Sequence, residues 1–286
     1  MSDLKVFNQT ITNHKTQAYL DSVLGEEKAA FVNNVVAVVA NDAKLQACEP
    51  MTLLFAAIKA TSLKLPLDPN LGFAHIIPYK NNKENKTEAQ FQIGYKGITQ
   101  LAVRSKQFEK INVTDVREGE LVRRDRRTGD IQFAWIDDDN ERNKRKVVGY
   151  LGYFRLKNGY EKESYWTVEE LQAHGLRYSQ TYSSHNEYVR KNSKWTTDFD
   201  AMARKTVIKL MLNKGDAPMS IEMQEAVKYD QSVIIDEKGT AKYIDNQPKP
   251  SSEDQAAEFV EAEDMTTHTE QESEQPASET IFGDEQ

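Results

Sequence analysis

The chain has 286 residues, enough for one large domain or two small ones with a full hydrophobic core. Its formal net charge of −8 is unevenly distributed, because residues 231–286 carry 15 acidic and 3 basic side chains whereas residues 1–230 carry 30 acidic and 34 basic ones. The single cysteine, Cys48, excludes an intramolecular disulfide and a cysteine-cluster zinc site, and it fits a reducing compartment.

The first half of the chain predicts helices followed by a hairpin. Apolar residues spaced along 26–47 indicate a helix, and Pro50 fits the first turn of a second helix that ends at Leu63. Residues 1–24 precede this pattern and are a candidate flexible arm for oligomerisation. Two strands, 73–79 and 89–95, flank a polar loop and predict a β-hairpin, which a short helix over 96–105 follows.

The second half returns from strands to helices. Strands are predicted at 108–117, 131–136, 145–156 and 160–166, with charged turns such as 137–140 between them. Thr167 and Glu170 form a capping box for a helix that runs to about His174 and is closed by Gly175. A longer helix, capped at Thr197 or Asp198, continues through Asn213. The body therefore predicts an α+β fold with N-terminal helices and a central antiparallel sheet.

The C-terminal segment predicts a disordered acidic tail over residues 231–286. Its last 36 residues contain no Lys or Arg and few large apolar groups, so they cannot bury enough surface to offset chain entropy. The apolar end, Ile281-Phe282, is either a short docking peptide or part of a solvated tail that keeps the protein soluble. The folded part of the chain is thus expected within residues 1–230.

Two segments far apart in the sequence are cationic and rich in aromatic residues. Residues 75–110 carry seven basic and three acidic side chains, and residues 177–214 carry eight and three. A groove for single-stranded nucleic acid needs both residue types, because cations neutralise phosphates while aromatic faces stack on any base. Each segment alone could equally be a solvated face with ordinary core aromatics.

The helix over 198–213 gives the more specific spacing argument. Phe199, Ala203 and Val207 belong to an apolar stripe with a period of three or four residues. Lys205 and Lys209 are four residues apart and project together from another face, which Arg204 borders. Such a helix can pack on a sheet and line a groove with three cations.

The Gly94-Tyr95-Lys96-Gly97 sequence allows two interpretations. Its glycines could let backbone amides at a helix start meet a phosphate, with Lys96 adding charge, or they could simply form a turn after a strand. It is not a nucleotide-binding P-loop, because no Gly-x-x-x-x-Gly-Lys-Ser/Thr sequence occurs in the chain. We therefore expect no ATP-driven activity.

Other classes fit the sequence poorly. Residues 137–141 resemble a calcium loop, but Arg142 stands where that loop needs glycine, so a hairpin turn is expected. The five histidines lack metal-ligand spacing, no Gly-x-Ser-x-Gly occurs, and Cys48 lies on an apolar helix. No apolar run approaches the roughly 20 residues that span a bilayer, and the first residues do not resemble a signal peptide. We expect a cytoplasmic protein that is not an enzyme and binds no membrane.

Several uncommon clusters together resemble the RecT family of phage and prophage single-strand annealing proteins. They occur in the family's order over roughly residues 25–225 and are Leu65-Pro-Leu-Asp-Pro69, Ala74-His-Ile-Ile-Pro-Tyr79, Gln90-Phe-Gln-Ile-Gly-Tyr-Lys-Gly97, Leu101-Ala-Val-Arg-Ser105 and the Trp195–Lys209 block. The resemblance implies ATP-independent pairing of complementary strands by a ring or helical homo-oligomer in a bacterial host cell. It also implies a core in which a β-sheet lies beside a long helix that lines a positive groove.

The resemblance also suggests partners and site residues. A phage exonuclease that exposes 3′ strands is the expected partner, and the acidic tail is a candidate contact for host replication proteins such as a single-strand-binding protein. No cofactor is expected, with Mg²⁺ considered only as a modulator of DNA binding. The candidate residues for binding single-stranded DNA and annealed duplex are Lys80, Tyr95, Lys96, Arg104, Lys106, Arg190, Lys191, Trp195, Arg204, Lys205 and Lys209. For Tyr95 and Trp195, core packing is the alternative role.

Three alternatives to annealing stay open. A passive single-strand-binding protein would share every groove feature but would protect strands without pairing them. A metal-dependent nuclease would need clustered carboxylates, which the sequence does not display. A structural protein with incidental basic patches is the third.

Overall fold

The computed structural model describes residues 3–81, 84–125, 127–213 and 217–243. Helices and antiparallel strands are both extensive in these residues, which confirms the predicted α+β class. The helices are α1 (Asp3–Thr12), α2 (His14–Leu24), α3 (Lys28–Ala40), α4 (Ala43–Gln46), α5 (Pro50–Ser62), α6 (Tyr95–Arg104), α7 (Asp139–Asn143), α8 (Val168–Tyr178), α9 (Glu187–Lys191), α10 (Lys194–Thr197), α11 (Phe199–Asn213) and α12 (Ile221–Tyr229). The strands are β1 (Ala74–Asn81), β2 (Lys86–Ile93), β3 (Phe108–Arg117), β4 (Leu121–Arg124), β5 (Ile131–Phe133), β6 (Val147–Leu156), β7 (Glu161–Thr167), β8 (Ser232–Ile234) and β9 (Ala241–Tyr243).

The N-terminal residues pack on the body. Phe7, Ile11 and Leu20 are buried in the main core, and α1 contacts α3, α4 and α5. Burial of each large apolar side chain contributes about 1.5–3 kcal/mol, which holds these two helices in place. The expectation of a flexible arm over residues 1–24 is therefore wrong for the described part of that segment.

Helices α3, α4 and α5 correspond to the two helices predicted in this region, with one interruption. The Asp42 carboxylate accepts hydrogen bonds from the backbone amides of Lys44 and Leu45, so α3 ends and α4 begins there. Pro50 occupies the first turn of α5, as predicted. The Thr52 hydroxyl of α5 accepts a 2.9 Å hydrogen bond from the Ala89 amide, which ties α5 to β2.

The described strands form three antiparallel sheets, where the sequence predicted one central sheet. The predicted hairpin is β1–β2, and it belongs to a four-stranded sheet in the order β1-β2-β8-β9, here called sheet A. Strands β3, β6 and β7 form a second sheet, sheet B, and β4 pairs with β5 alone. The 137–140 connection, predicted as a turn, leads into the short helix α7, which Asp138 caps.

Sheet A is completed by residues that the sequence assigned to the tail. Val233 pairs with Gln90 and Ser232 with Phe91, and β8 is buried along its length. The tail boundary at residue 231 is therefore wrong, because apolar burial and strand pairing hold residues 232–243 in the body. Residues 244–286, including Ile281-Phe282, lie outside the described residues.

Helices α8 and α11 place the candidate site. The Thr167–Glu170 capping box is present, but α8 continues past Gly175 to Tyr178. Helix α11 packs on β3, β6 and β7 of sheet B and on α6. Its buried stripe includes Ala203 and Val207 as predicted. No helix in the described ranges is both long and apolar enough to cross a membrane.

Candidate nucleic-acid interface

A cleft of about 240 Å³ lies beside α11, and we call it the lysine cleft. Its lining residues come from four parts of the chain: His174 and Tyr178 from α8, Trp195 from α10, Lys205 and Lys209 from α11, and Asp230 from the residue after α12. The cleft therefore combines cations, hydroxyl groups and aromatic rings, which are the groups that bind a nucleotide's phosphate and base.

The floor of the cleft is an ion cluster around Asp230, whose side chain is 0% exposed. Its Oδ2 lies 2.6 Å from Lys209 Nζ, and its Oδ1 lies 3.3 Å from Lys205 Nζ. Oδ1 also accepts a 3.0 Å hydrogen bond from the backbone amide of Ile93, the last residue of β2. One carboxylate thus joins sheet A to two successive turns of α11.

The ion cluster perturbs the pKa values of its members. Burial raises the pKa of the Asp230 carboxyl, but the ammonium groups of Lys205 and Lys209 outweigh it and hold that pKa below its usual range. Burial lowers the pKa of Lys205, and Lys209 adds to this effect, while Asp230 opposes it. Two ammonium groups and one carboxylate leave the floor of the cleft with a net charge of +1.

Two histidines beside the cluster are held in their neutral form. Burial, Lys209 and Arg177 lower the pKa of His174 to about 4. Burial, Lys205 and Lys194 lower the pKa of His75, which lies on β1. Burial is the larger cause of both shifts and the neighbouring cations add to it, so neither histidine contributes a positive charge at neutral pH.

One face of sheet A carries His75, whose pKa responds to Lys205 of the cleft. His75 pairs with Gln92 and Ile77 pairs with Gln90, so these four side chains project from the same face. The effect of Lys205 on the pKa of His75 shows that this face lies close to α11. Of these four side chains, His75 and Gln92 are polar and partly exposed, whereas Gln90 is buried and Ile77 is apolar.

The aromatic residues of the region are mostly packed into the body. Trp195 is only 5% exposed and stacks on Tyr182 with ring centroids 5.9 Å apart, while His174 and Tyr178 lie 4.5 Å apart. Tyr95 is partly buried against the main core. Tyr188 of α9, by contrast, is 77% exposed. Trp195 and Tyr95 therefore have the core contacts that were the alternative role for them, whereas Tyr188 presents a free ring face.

The structure brings only some of the predicted site residues together. Trp195, Lys205 and Lys209 line the cleft. Arg190 and Lys191 are exposed on the neighbouring helix α9, where Lys191 also pairs with Glu187. Four others are exposed but do not line the cleft: Lys80 near the end of β1, Lys96 at the start of α6, and Arg104 and Lys106 at its end. Whether these four contact DNA stays a prediction.

Arg204 differs most from its predicted position on an open cationic face. Its guanidinium donates to the Val113 carbonyl at 2.6 Å and pairs with Asp200 and Asp115. Asp115 in turn pairs with Arg142, which lies 2.7 Å from the enclosed carboxylate of Glu120. We call these residues the arginine network. It joins α11 to β3 and α7, so the Arg204 cation is largely satisfied within the protein.

The Gly94–Gly97 sequence is explained by close packing. A Cβ atom on either glycine would collide with the backbone of Gly72 or Phe73, whose carbonyl also accepts a 2.8 Å hydrogen bond from the Gly94 amide. The 71–73 loop therefore lies directly against the start of α6. Of the two interpretations, the structure favours the turn after a strand.

Sequence reasoning missed Asp230, His174 and His75 as members of the site. Asp230 stands immediately before a strand that was assigned to the tail, and only the pairing of β8 with β2 places it beneath α11. The histidines carry no motif, and their role follows from their distance to lysines elsewhere in the sequence. Among the described residues, no group of three or more His, Cys, Asp or Glu could hold a metal ion.

Comparisons with known proteins identify the family of the chain. The chain is 34% identical over 238 residues to the uncharacterized protein YqaK of Bacillus subtilis (strain 168), which covers 82% of this chain and 76% of YqaK. It is 28% identical over 198 residues to the protein RecT of Escherichia coli (strain K12), which covers 64% of each chain. The sequence profile of the RecT family matches residues 29–245, a range that contains every lining residue of the cleft. The chain therefore belongs to the RecT family.

Proposed function

We propose that the protein binds single-stranded DNA across the lysine cleft and the adjoining face of sheet A, and pairs it with a complementary strand within a homo-oligomer. Membership of the RecT family supports a role in recombination by strand annealing. The observation that carries the proposal is the cleft itself, which Lys205, Lys209 and the neutral His174 line, with His75 of sheet A near Lys205.

The physical mechanism needs no bond-making residue. A strand held by its phosphates loses part of the repulsion that opposes a second strand, and its base edges stay available. Watson–Crick pairing then supplies the sequence specificity, and the annealed duplex is the product. A ring or a helical filament would repeat the cleft along the strand, since heterologous contacts between copies generate either form.

The proposed setting is the cytoplasm of a bacterial host. There the protein would act without ATP on 3′ strands exposed by a phage exonuclease, with Mg²⁺ as a possible modulator of DNA binding. The acidic residues 244–286 are a candidate contact for a host single-strand-binding protein. These partners follow from the family resemblance, and direct pull-down with each purified partner tests them.

The central test follows the pairing of two dye-labelled complementary oligonucleotides by energy transfer, without nucleotide. Acceleration above the spontaneous rate, only for complementary strands, is the expected result. If the protein binds both strands but does not accelerate their pairing, annealing is ruled out, and passive strand protection becomes the candidate function. Shortening of end-labelled DNA when Mg²⁺ is added would point to a nuclease.

Lysine variants connect the assay to the cleft. Lys209→Ala should slow annealing, whereas Lys5→Ala should not, although both remove one positive charge. Lys5 is exposed on α1, a helix that contributes nothing to the cleft. Equal effects of the two variants would argue that net charge alone matters and that the cleft is not the binding site.

A further inference from the structure

Asp230 has the geometry of a residue that prepares the lysine cleft for its ligand. We propose that Asp230 is a positioning residue for DNA binding: it holds the ammonium groups of Lys205 and Lys209 side by side and charged, so that together they bind one backbone phosphate. This inference rests on the proposed function, since it names the group that organises the proposed strand site.

The carboxylate can organise the site without touching the strand. Its side chain is 0% exposed, so an entering phosphate meets the lysines and not the aspartate. The backbone amide of Ile93 anchors Oδ1 at 3.0 Å, and this hydrogen bond does not depend on either lysine. Asp230 therefore remains fixed behind the ammonium groups when a ligand arrives.

The two lysines need such a partner. They are four residues apart on α11, a spacing at which like charges repel. Their side chains are only 12% and 23% exposed, so solvent compensates little of that repulsion. Removing an ammonium group from water costs several kcal/mol unless an opposite charge offsets it. Asp230 supplies that charge to both lysines through separate oxygens.

Of the charged groups around Lys205, Asp230 is the one that stabilises the Lys205 cation. Lys209 on the same helix disfavours the Lys205 cation, and His75 faces Lys205 from β1 as a neutral ring. Lys209 is in turn faced by His174 from α8 and by Tyr243 from β9. Among the described groups that act on the Lys205 pKa, Asp230 is the one acid, and it raises that pKa against burial.

The resulting charge matches one phosphodiester. Two ammonium groups and one carboxylate give a net charge of +1, and each ammonium has further N–H donors that Asp230 does not use. A phosphodiester brings one negative charge and several acceptor oxygens. The cluster and one backbone phosphate are therefore complementary in charge and in hydrogen bonding.

The test uses Asp230→Asn in the full-length protein, with a fluorescein-labelled oligothymidylate as the probe. Asparagine keeps the size of the side chain and an acceptor for the Ile93 amide, but it removes the negative charge. Lys205 should then lose its proton at a lower pH than in the wild type. As the pH is raised, DNA affinity should therefore fall at a lower pH in the variant than in the wild type. Where Lys205 of the variant is neutral, the slope of log affinity against log salt should be shallower than the wild-type slope by about 0.7.

A double variant separates positioning from general stability. In Lys205→Met/Asp230→Asn the titrating amine is absent, so the pH dependence seen in Asp230→Asn should disappear. A purely structural role would lower the thermal midpoint without creating any pH dependence of DNA binding. If folded Asp230→Asn shows the wild-type pH profile and salt slope, the proposal is overturned.

A second measurement applies even if Asp230→Asn does not fold. In wild-type protein with ¹³C-labelled lysine, the ε-methylene signals of Lys205 and Lys209 can be assigned with Lys205→Met and Lys209→Met. Both signals should shift when the oligothymidylate is added, and an unchanged pair of signals with bound DNA would overturn the proposal. If wild-type protein binds no oligothymidylate at all, the proposed function fails. This outcome differs from bound DNA with unchanged lysine signals, which overturns only the role of Asp230.

Discussion

The indole ring of Trp195 lies face-on against Gly175, three residues before the end of α8. A methyl group on that glycine would lie 2.7–2.9 Å from three ring carbons of the tryptophan, closer than real carbon atoms approach. The glycine therefore does not end the helix but admits the ring that forms one wall of the lysine cleft. Sequence rules for glycine near a helix end predict a terminus here, and tertiary packing has overridden them.

Gly175→Ala should destabilise the protein because Trp195 has to move. Overpacking of this kind costs about 1–3 kcal/mol, which exceeds the gain of about 1 kcal/mol that alanine brings to a helix interior. Urea denaturation should show a lower midpoint, while Gln172→Ala, exposed on the same helix, should leave it nearly unchanged. Equal stability of Gly175→Ala and wild type would mean that the ring is not held against α8.

Lys205→Ala and Lys209→Ala should each weaken single-strand binding and flatten its salt dependence. Loss of one phosphate contact reduces the slope of log affinity against log salt by about 0.7 for single strands. Fluorescence anisotropy over a range of salt concentrations measures this slope, with Lys5→Ala as the charge-matched control. Wild-type slopes in both cleft variants would remove α11 from the DNA interface.

The neutral His174 ring predicts a pH dependence of stability. Its pKa falls from 6.5 to about 4 on folding, so the unfolded chain binds more protons between these values. The stabilisation is complete above about pH 6.5 and is lost as the pH falls toward 4. The drop in thermal midpoint between pH 7 and pH 5 should be smaller in His174→Gln than in wild type. The exposed His185→Gln should retain the full drop, and identical drops in all three proteins would contradict this assignment.

Arg142→Met should be strongly destabilising through the arginine network. The change leaves the Glu120 carboxylate enclosed without its guanidinium partner, and breaking a buried pair in this way costs about 3–5 kcal/mol. Lys144→Met removes an exposed ion pair with Glu141 at the end of the same helix and should cost less than about 1 kcal/mol. Chemical denaturation measures the free energy of unfolding of the two variants and of the wild type. A small effect of Arg142→Met would show that the network contributes little.

Truncation after residue 245 should preserve annealing and tighten DNA binding at low salt. Residues 246–286 carry 12 acidic and one basic side chain, so their removal lowers the repulsion of a polyanion. Truncation after residue 230, in contrast, also removes β8 and β9 and should unfold sheet A. Oligonucleotide annealing and circular dichroism of both fragments test this. Loss of annealing in the longer, folded fragment would assign the C-terminal residues to the machinery.

Local patterns predicted the elements that local interactions determine. The bounds of β3 matched the predicted 108–117, and the capping box of α8 is present as expected. The β1–β2 hairpin follows from a polar loop between two apolar runs. Each of these depends on residues that are close in sequence, where spacing and side-chain chemistry carry most of the information.

The errors share a non-local cause. Strands β8 and β9 are only three residues each, too short for a periodic pattern, and the apolar run Val233-Ile234-Ile235 was the one local signal of a strand there. Arg204 and Lys205 looked alike on a helical projection, yet Asp115 and Asp230 from distant elements pair with them. The sequence could predict a basic helix beside a sheet. It could not predict that the buried carboxylate of Asp230 lies beneath the lysines of that helix.

The pairing of β2 with β8 also sets an order of assembly during protein synthesis. Helix α11 leaves the ribosome before Asp230 and β8, and sheet A then consists of β1 and β2 and still lacks β8 and β9. Until Asp230 docks, Lys205 and Lys209 have no acid to hold them at the floor of the cleft. The nascent chain thus carries these lysines without their final geometry, and the lysine cleft reaches its defined shape only once the last strands are in place.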